Sequence, residues 1–227
     1  MHGRADFLAF QMKLRFLCAG FVILGLLRGD TESLGAQRPE KAPDQSAARE
    51  PYRGGLVTPP LPKPGFTLTD TSGATFDFRL KTEGYITLLF FGYANCPDVC
   101  PLHMANIAVA LKKFPSGFAD QVKLVFVTTD PARDSAKPLR SWLDHFDKRF
   151  IGLTGTEAAI EAAQLAAGLP PAKKSALANG DYGLGHSSFV LVYTKDNLAH
   201  VIYPGGMSQQ DWAHDLPQLV RELWSKR

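Results

Sequence analysis

The chain has 227 residues, of which 45% are hydrophobic, and it carries a formal net charge of +3. This length and composition fit one globular domain together with additional segments. The charge is close to neutral for a chain of this length, and no basic stripe runs through it. The sequence therefore gives no support for nucleic-acid binding.

The first 36 residues have the features of an export signal. Lys13 and Arg15 precede an apolar run at 16–27, which is short for a membrane-spanning helix and typical of a signal peptide. Small residues after the run would permit cleavage, but they form no clear cleavage site. We therefore predict that residues 1–36 are a signal peptide or an N-terminal membrane anchor. The expected location is the bacterial periplasm, either soluble or anchored to the inner membrane.

Residues 37–60 differ from the rest of the chain in composition. Seven prolines lie in or just after this segment: Pro39, Pro43, Pro51, Pro59, Pro60, Pro62 and Pro64. Prolines among charged and small residues resist packing and extend the chain. The sequence thus predicts a disordered, proline-rich linker at 37–60, followed by one folded domain at 61–227.

From Phe66 onward the sequence has the alternating pattern of a folded α/β domain. Two short alternating stretches flank the turn residues 71–73 and predict a β-hairpin. The apolar run YITLLFFGY at 85–93 predicts a central strand that is buried on both faces, and 122–128 predicts a second one. Strands that alternate with helices predict a layered sheet.

The remaining elements are predicted from helical periodicity and capping residues. The predicted helices are 102–114, 135–146 with Asp134 or Ser135 as its cap, 156–167, and a last helix from Ser208 that Asp215 and Pro217 interrupt. A loop of about fifteen residues follows the third helix, which is long for a compact domain and favours a functional role. A second hairpin, centred on residues 195–197, precedes the last helix.

Two of the three cysteines, Cys96 and Cys100, lie just after the predicted central strand, in the stretch NCPDVCP. Four residues make about one helical turn, so both sulfurs would lie on one face if a helix begins near Cys96. A helix N-terminus also stabilises thiolates through its free amides and its positive dipole end. The pair could share a disulfide, a metal or a substrate.

The order of these elements, with a cysteine pair at the head of a helix, is that of a thioredoxin-like fold. Four stretches make the resemblance more specific: FGYANCPDVCP, VTTDPARDSAKPLRSWL, IGLTGT and GHSSFVLVY. With them the chain resembles the Sco/SenC family of copper-binding proteins that assemble cytochrome c oxidase. The resemblance implies an α/β, thioredoxin-like fold with a central mixed sheet flanked by helices and an extra N-terminal β-hairpin.

The resemblance also implies that copper, as Cu(I) or Cu(II), binds to Cys96, Cys100 and His186. The donor chemistry agrees, because two thiolates and one imidazole form a soft set that suits copper, whereas structural zinc sites normally have four protein ligands. His103, three residues after Cys100, is the alternative histidine ligand. The chain departs from the family pattern at Gly185, where an acidic residue usually precedes the metal histidine. The sequence therefore does not show which residue supports the metal-binding histidine in place of that acidic residue.

Other polar residues have more than one interpretation. Ala94 stands where threonine is frequent in the family. Asp98 either helps to begin the helix or contacts a partner. The stretch 130–134 favours a proline-locked turn and a helix cap. The alternative is that its side chains support the metal ligands from outside. The histidines without partners at metal-ligand spacing are expected at the surface or in packing: His145, His200 and His214.

The resemblance implies a metallochaperone for the dinuclear copper centre of cytochrome c oxidase. Its expected partners are the copper-bearing oxidase subunit and other periplasmic copper chaperones or thiol reductases. The alternative is an enzyme, a thiol-disulfide oxidoreductase or peroxide-reducing protein with Cys96 and Cys100 as its redox pair. A purely structural disulfide would close a small loop and stabilise little. His186 favours metal binding, because redox exchange requires only the two sulfurs.

Overall fold

The computed structural model describes residues 52–178, 180–222 and 224. The predicted export segment at 1–36 and the first part of the predicted linker lie outside these residues. The strands are β1 (Gly55–Pro62), β2 (Thr67–Asp70), β3 (Thr75–Asp77), β4 (Ile86–Gly92), β5 (Val122–Thr128), β6 (Ile151–Thr154), β7 (Lys173–Ala176), β8 (Tyr182–Gly185), β9 (Val190–Tyr193) and β10 (Leu198–Tyr203). The helices are α1 (Phe78–Lys81), α2 (Val99–Lys112), α3 (Ser116–Ala119), α4 (Ala136–Asp144), α5 (Glu157–Ala166) and α6 (Gln209–Arg221). None of the described helices is long and apolar enough to cross a membrane.

Eight strands form one mixed sheet in the order β1-β10-β9-β4-β5-β6-β2-β3, and β7 pairs with β8 in a separate hairpin. Strands β4, β5 and β6 run parallel, while β9 runs antiparallel to β4 and β10 runs antiparallel to β9. The β4–α2–β5 crossover and the final β9–β10–α6 unit form the thioredoxin-like core. The predicted α/β class and the extra N-terminal hairpin, which is β2–β3, are confirmed.

Helices cover both faces of this sheet, as the central strand β4 shows. All seven residues of β4 are buried. Leu88 and Phe90 belong to a core that also contains residues of α2, α4 and α6, whereas Leu89 and Phe91 belong to a core with residues of α1 and α5. Because successive side chains of a strand point to opposite faces, a strand between two helical layers is an almost continuous apolar run.

The predicted linker extends too far toward the C-terminus. Strand β1 pairs antiparallel with β10, from Gly55 opposite Ile202 to Pro62 opposite Leu198, so residues 55–60 belong to the folded domain. The register is irregular between Leu56 and Leu61. Prolines lack the N–H that a ladder needs, which is why this segment is a strand only at the edge of the sheet.

The segment predicted as a long loop after α5 is mostly the hairpin β7–β8, so that prediction is wrong. All four residues of β7 are exposed. A strand without a buried face lacks the alternation of apolar and polar residues from which a strand is predicted. The left-handed Gly168, with φ of 75°, ends α5 before this hairpin, as the sequence indicates.

The last helix, α6, is continuous, although Pro217 lies inside it. Its N-terminus has the predicted capping box between Ser208 and Asp211. Asp215, expected to interrupt the helix, is instead buried and accepts hydrogen bonds from the backbone N–H groups of Arg53 and Gly54. The buried apolar face of α6 offsets the hydrogen bond that proline cannot make, since tertiary packing supplies most helical stability.

Lys63 is a buried cation beside the end of β1. The residue is 1% exposed, and its Nζ donates to the carbonyl oxygen of Thr82 at 3.0 Å and lies 3.4 Å from Thr87 Oγ1. Burial lowers the pKa of Lys63 from 10.5 to about 8, because the ammonium loses its hydration. The charge of this residue therefore opposes folding at neutral pH.

We expect Lys63 to make the domain more stable as the pH rises from about 8 to 10.5. Below that window both the folded and the unfolded chain hold the proton, so burial of the charge costs about 3 kcal/mol. Within the window the folded protein loses the proton first, and the cost falls. Urea unfolding of wild type and Lys63→Met should be measured at several pH values. As the pH rises through this window, the free energy of unfolding of the wild type should increase relative to that of the variant. A pH-independent difference would contradict this assignment.

Candidate metal centre

Three donor atoms converge at one end of the central sheet. The sulfurs of Cys96 and Cys100 and a ring nitrogen of His186 all lie within 4.8 Å of one another. Cys100 Sγ is 3.4 Å from His186 Nε2. The structure therefore brings together the three residues predicted as ligands, and within the described residues this group contains no further His, Cys, Asp or Glu.

The two cysteines lie on either side of the start of α2. The N–H of Cys96 donates to the carbonyl oxygen of Tyr93 at 3.1 Å, so the chain turns before the helix begins. Helix α2 begins at Val99 with Asp98 as its N-cap. The helix thus does not begin at Cys96, and only the fully buried Cys100 lies in its first turn. The turn rather than helical spacing brings the sulfurs together.

Asp134 fixes the turn that carries Cys96. Its Oδ2 accepts hydrogen bonds from the Ala94 N–H and from Thr128 Oγ1, both at 2.8 Å. Asp134 is therefore not the cap of α4. Ser135 occupies that position, and its side chain makes no capping hydrogen bond. Burial raises the pKa of Asp134, and its hydrogen bonds connect the end of β5 to the cysteine turn.

Gly92, the last residue of β4, leaves the space that Cys100 fills. A Cβ atom at position 92 would lie 2.7 Å from Cys100 Sγ and 2.8 Å from a ring carbon of Phe90. Favourable separations between nonbonded carbon atoms are roughly 3.5–4.0 Å. Any side chain at position 92 would therefore displace the sulfur or the aromatic ring.

His186 lies in the segment between β8 and β9. Its Nδ1 is 2.9 Å from the carbonyl oxygen of Ser187, and since a carbonyl only accepts, Nδ1 carries the proton. Nε2 then directs its lone pair toward Cys100, which is the tautomer that a metal ligand needs. The rings of Tyr93 and Phe90 lie edge-on to the imidazole, with centroids at 5.5 and 5.9 Å.

The hairpin that ends beside His186 is anchored by Tyr182. The Tyr182 hydroxyl donates to Asp130 Oδ1 at 2.9 Å, and Arg133 pairs with Asp130 and lies 3.9 Å from the centroid of the Tyr182 ring. The turn at 130–134 therefore joins the hairpin to the end of β5, a role beyond that of a proline-locked turn. The sequence gives only a weak signal for Tyr182, the alternation within β8.

The alternative ligand, His103, stands outside the donor group. It is buried, its Nε2 lies 3.0 Å from the Ser188 carbonyl oxygen, and burial lowers its pKa. Asp98 is exposed and makes no side-chain capping hydrogen bond. Gly185 is also exposed, and a Cβ there would meet nothing closer than the Lys173 carbonyl oxygen at 3.9 Å. The family's acidic residue would therefore fit at this position.

Among the described residues, the three remaining histidines are at the surface or in packing, as predicted. His145 is exposed. His200 pairs with Asp196 at 2.8 Å, and His214 pairs with Asp215 at 2.6 Å. Each lies outside the donor group.

The two free thiols of the site differ in proton affinity. The pKa of Cys96 is lowered to about 4, because its sulfur accepts hydrogen bonds from the Cys100 side chain and from the amides of Asp98 and Cys100. Burial raises the pKa of Cys100, and the neighbouring Cys96 thiolate raises it further. The reduced site therefore holds one thiolate and one thiol at neutral pH.

We expect iodoacetamide at pH 6 to modify Cys96 in preference to Cys100 by roughly 100-fold or more, because the thiolate is the nucleophile. Peptide mass mapping after brief labelling of the reduced protein measures the two rates. Cys100→Ala removes a hydrogen-bond donor and should raise the pKa of Cys96, which thiolate absorbance at different pH values reports. Equal labelling of the two cysteines would contradict the assignment.

The chain is similar to known proteins over most of its folded domain. The family model for SCO1/SenC matches residues 58–221. The SCO2-like protein of Rickettsia felis is 35% identical over 131 residues, which are 55% of this chain and 60% of that protein. The chain thus spans less than two thirds of the length of this relative.

Two solved structures extend the comparison. ScoI of Bradyrhizobium japonicum with copper bound is 30% identical, with a TM-score of 0.62 over 70% of this chain and 99% of that one. The apo Sco1 protein of Thermus thermophilus is 27% identical, with a TM-score of 0.67 over 76% of this chain and 99% of that one. Since the family model covers well over half of the residues, the chain belongs to the SCO1/SenC family.

Proposed function

We propose that this chain is an exported copper-binding protein that helps to assemble the dinuclear copper centre of cytochrome c oxidase. The observation that carries the proposal is the convergence of two sulfurs and one imidazole nitrogen within 4.8 Å. Membership of the SCO1/SenC family and similarity to a copper-bound ScoI support it.

The donor set suits copper in both oxidation states. Thiolates from Cys96 and Cys100 are the soft ligands that Cu(I) prefers, and the imidazole of His186 adds the nitrogen that favours Cu(II). A site with three protein ligands is open to a further ligand from a partner, unlike a closed structural zinc site. Such an opening suits a protein that passes its metal on.

The surroundings prepare these side chains for metal binding. Cys96 is already a thiolate, and the hydrogen bond to Ser187 leaves Nε2 of His186 unprotonated. Cys100 must lose its proton when copper binds, so binding releases a proton and weakens as the pH falls. The buried position of Cys100 keeps this proton in place until a metal replaces it.

The proposed partner is the copper-bearing subunit of cytochrome c oxidase, with periplasmic copper chaperones or thiol reductases as further partners. This rests on the family resemblance and on the export signal expected at 1–36. We propose that residues 1–36 direct the chain to the bacterial periplasm as a signal peptide or anchor. The proline-rich segment that follows would connect them to the copper-binding domain.

We expect the reduced protein to bind one equivalent of Cu(I). Cys96→Ala and Cys100→Ala should abolish tight binding, because each removes one of two thiolates. His186→Ala should weaken binding by at least the ~10–100-fold that loss of an outer partner costs, and should change the Cu(II) spectrum. Copper analysis, Cu(I) competition and Cu(II) absorption measure these effects. The exposed His145→Ala is the matched control, and an unchanged Cu(II) spectrum in His186→Ala would remove His186 from the site.

One observation favours a second function, thiol-disulfide exchange. A thiolate at Cys96 beside a buried thiol at Cys100 is the asymmetry of a redox pair, in which the sulfur with the low pKa attacks first. Such chemistry could reduce the cysteines of the receiving copper site before metal transfer. It does not require His186.

Gene deletion separates the two functions. If the chain delivers copper, deletion should lower cytochrome c oxidase activity under copper limitation, and added copper should restore most of it by mass action. A lost thiol reductase should instead be rescued by added reductant. Complementation with His186→Ala should fail for copper delivery and succeed for thiol reduction. Full oxidase activity in the deletion strain would refute the assembly role.

A further inference from the structure

His103 is a buried histidine of α2 for which the copper site has no direct use. It is 1% exposed, and its Nε2 lies 3.0 Å from the carbonyl oxygen of Ser188. A carbonyl oxygen only accepts, so the Nε2–H of His103 donates this hydrogen bond. The bond connects α2 to the segment that carries His186.

This hydrogen bond joins the same two parts of the chain as the donor group. Cys100 lies three residues before His103, and His186 lies two residues before Ser188. The second link is the contact of 3.4 Å between Cys100 Sγ and His186 Nε2. Within the described residues, these are the two polar side-chain contacts between α2 and residues 186–189. Two contacts beside the site thus hold α2 and residues 186–189 together.

Residues 186–189 need such an anchor, because strand pairing does not hold them. Strand β8 ends at Gly185 in the separate two-stranded sheet, and β9 begins at Val190 in the main sheet. Phe90 packs edge-on to both imidazoles, with centroids 5.1 Å from His103 and 5.9 Å from His186. Packing thus orients the ring of His103, and its hydrogen bond transmits that position to the segment.

We propose that His103 is a positioning residue, whose hydrogen bond to Ser188 holds the imidazole of His186 beside the two sulfurs. The role of His186 as a copper ligand rests on the proposed function. The anchoring of residues 186–189 does not, and it can be tested in the absence of metal. In this arrangement His103 acts on copper only through His186.

The first experiment uses the reduced, metal-free protein. His103→Leu fills the buried position with an apolar side chain of similar length but removes the N–H that donates to Ser188. In His103→Gln the side-chain amide can still donate this hydrogen bond. Hydrogen exchange measured by mass spectrometry should be roughly 2- to 10-fold faster at 186–189 in His103→Leu, as expected for the loss of one hydrogen bond. Exchange in β4 should not change. His103→Gln and the exposed control His145→Leu should exchange like wild type.

The second experiment uses copper. His103→Leu should still bind one Cu(I) through the sulfurs, while its Cu(II) spectrum shifts toward that of His186→Ala and its Cu(II) affinity falls by ~10–100-fold. His103→Gln should keep the wild-type spectrum. In a His186→Ala background, His103→Leu should have no further effect on the spectrum, because the histidine that it positions is absent. His103→Asn, whose amide is too short to reach Ser188, replaces His103→Leu if that variant does not fold.

Several results would overturn the proposal. Wild-type exchange at 186–189 in His103→Leu would show that the hydrogen bond anchors nothing. A changed Cu(II) spectrum in His103→Gln with wild-type exchange would make His103 a ligand instead. If wild type binds no copper, the proposed function fails, and the exchange measurement still decides whether His103 anchors the segment.

Discussion

The proposed copper site depends on the antiparallel pairing of β4 with β9. Phe90 of β4 lies opposite Val190 of β9, so the chain leaves β4 toward Cys96 at the same end of the sheet where it enters β9 from His186. Residues 86 positions apart are thereby brought to a contact of 3.4 Å between Cys100 and His186. The hydrophobic burial that fixes this pairing is therefore also what assembles the donor group.

Local contacts convert this coarse placement into a defined geometry. Asp134 holds the cysteine turn, Tyr182 anchors the hairpin, and the carbonyl oxygens of Ser187 and Ser188 bind His186 and His103. These contacts are polar and partly shielded from water, so each is stronger than it would be in water and costly to lose. The proton that Cys100 keeps at neutral pH follows from the same burial.

Sequence patterns predict the parts of the fold whose burial is continuous or periodic. Strands β4 and β5 are almost entirely buried and mostly apolar, and the capping residues of α5 and α6 mark where these helices begin. The hairpin β7–β8 escapes detection because β7 buries none of its residues. The three predicted ligands converge as expected, but Asp134 and His103 act through partners distant in sequence. Only the folded chain shows such partners.

Strand β1 gives the sheet a further property. It occupies one edge of the eight-stranded sheet, and Pro59, Pro60 and Pro62 within it offer no N–H to a neighbouring strand. The opposite edge is β3, which has three residues. Neither edge is a good template for strand addition, so crowded copies of this domain are protected from edge-to-edge aggregation.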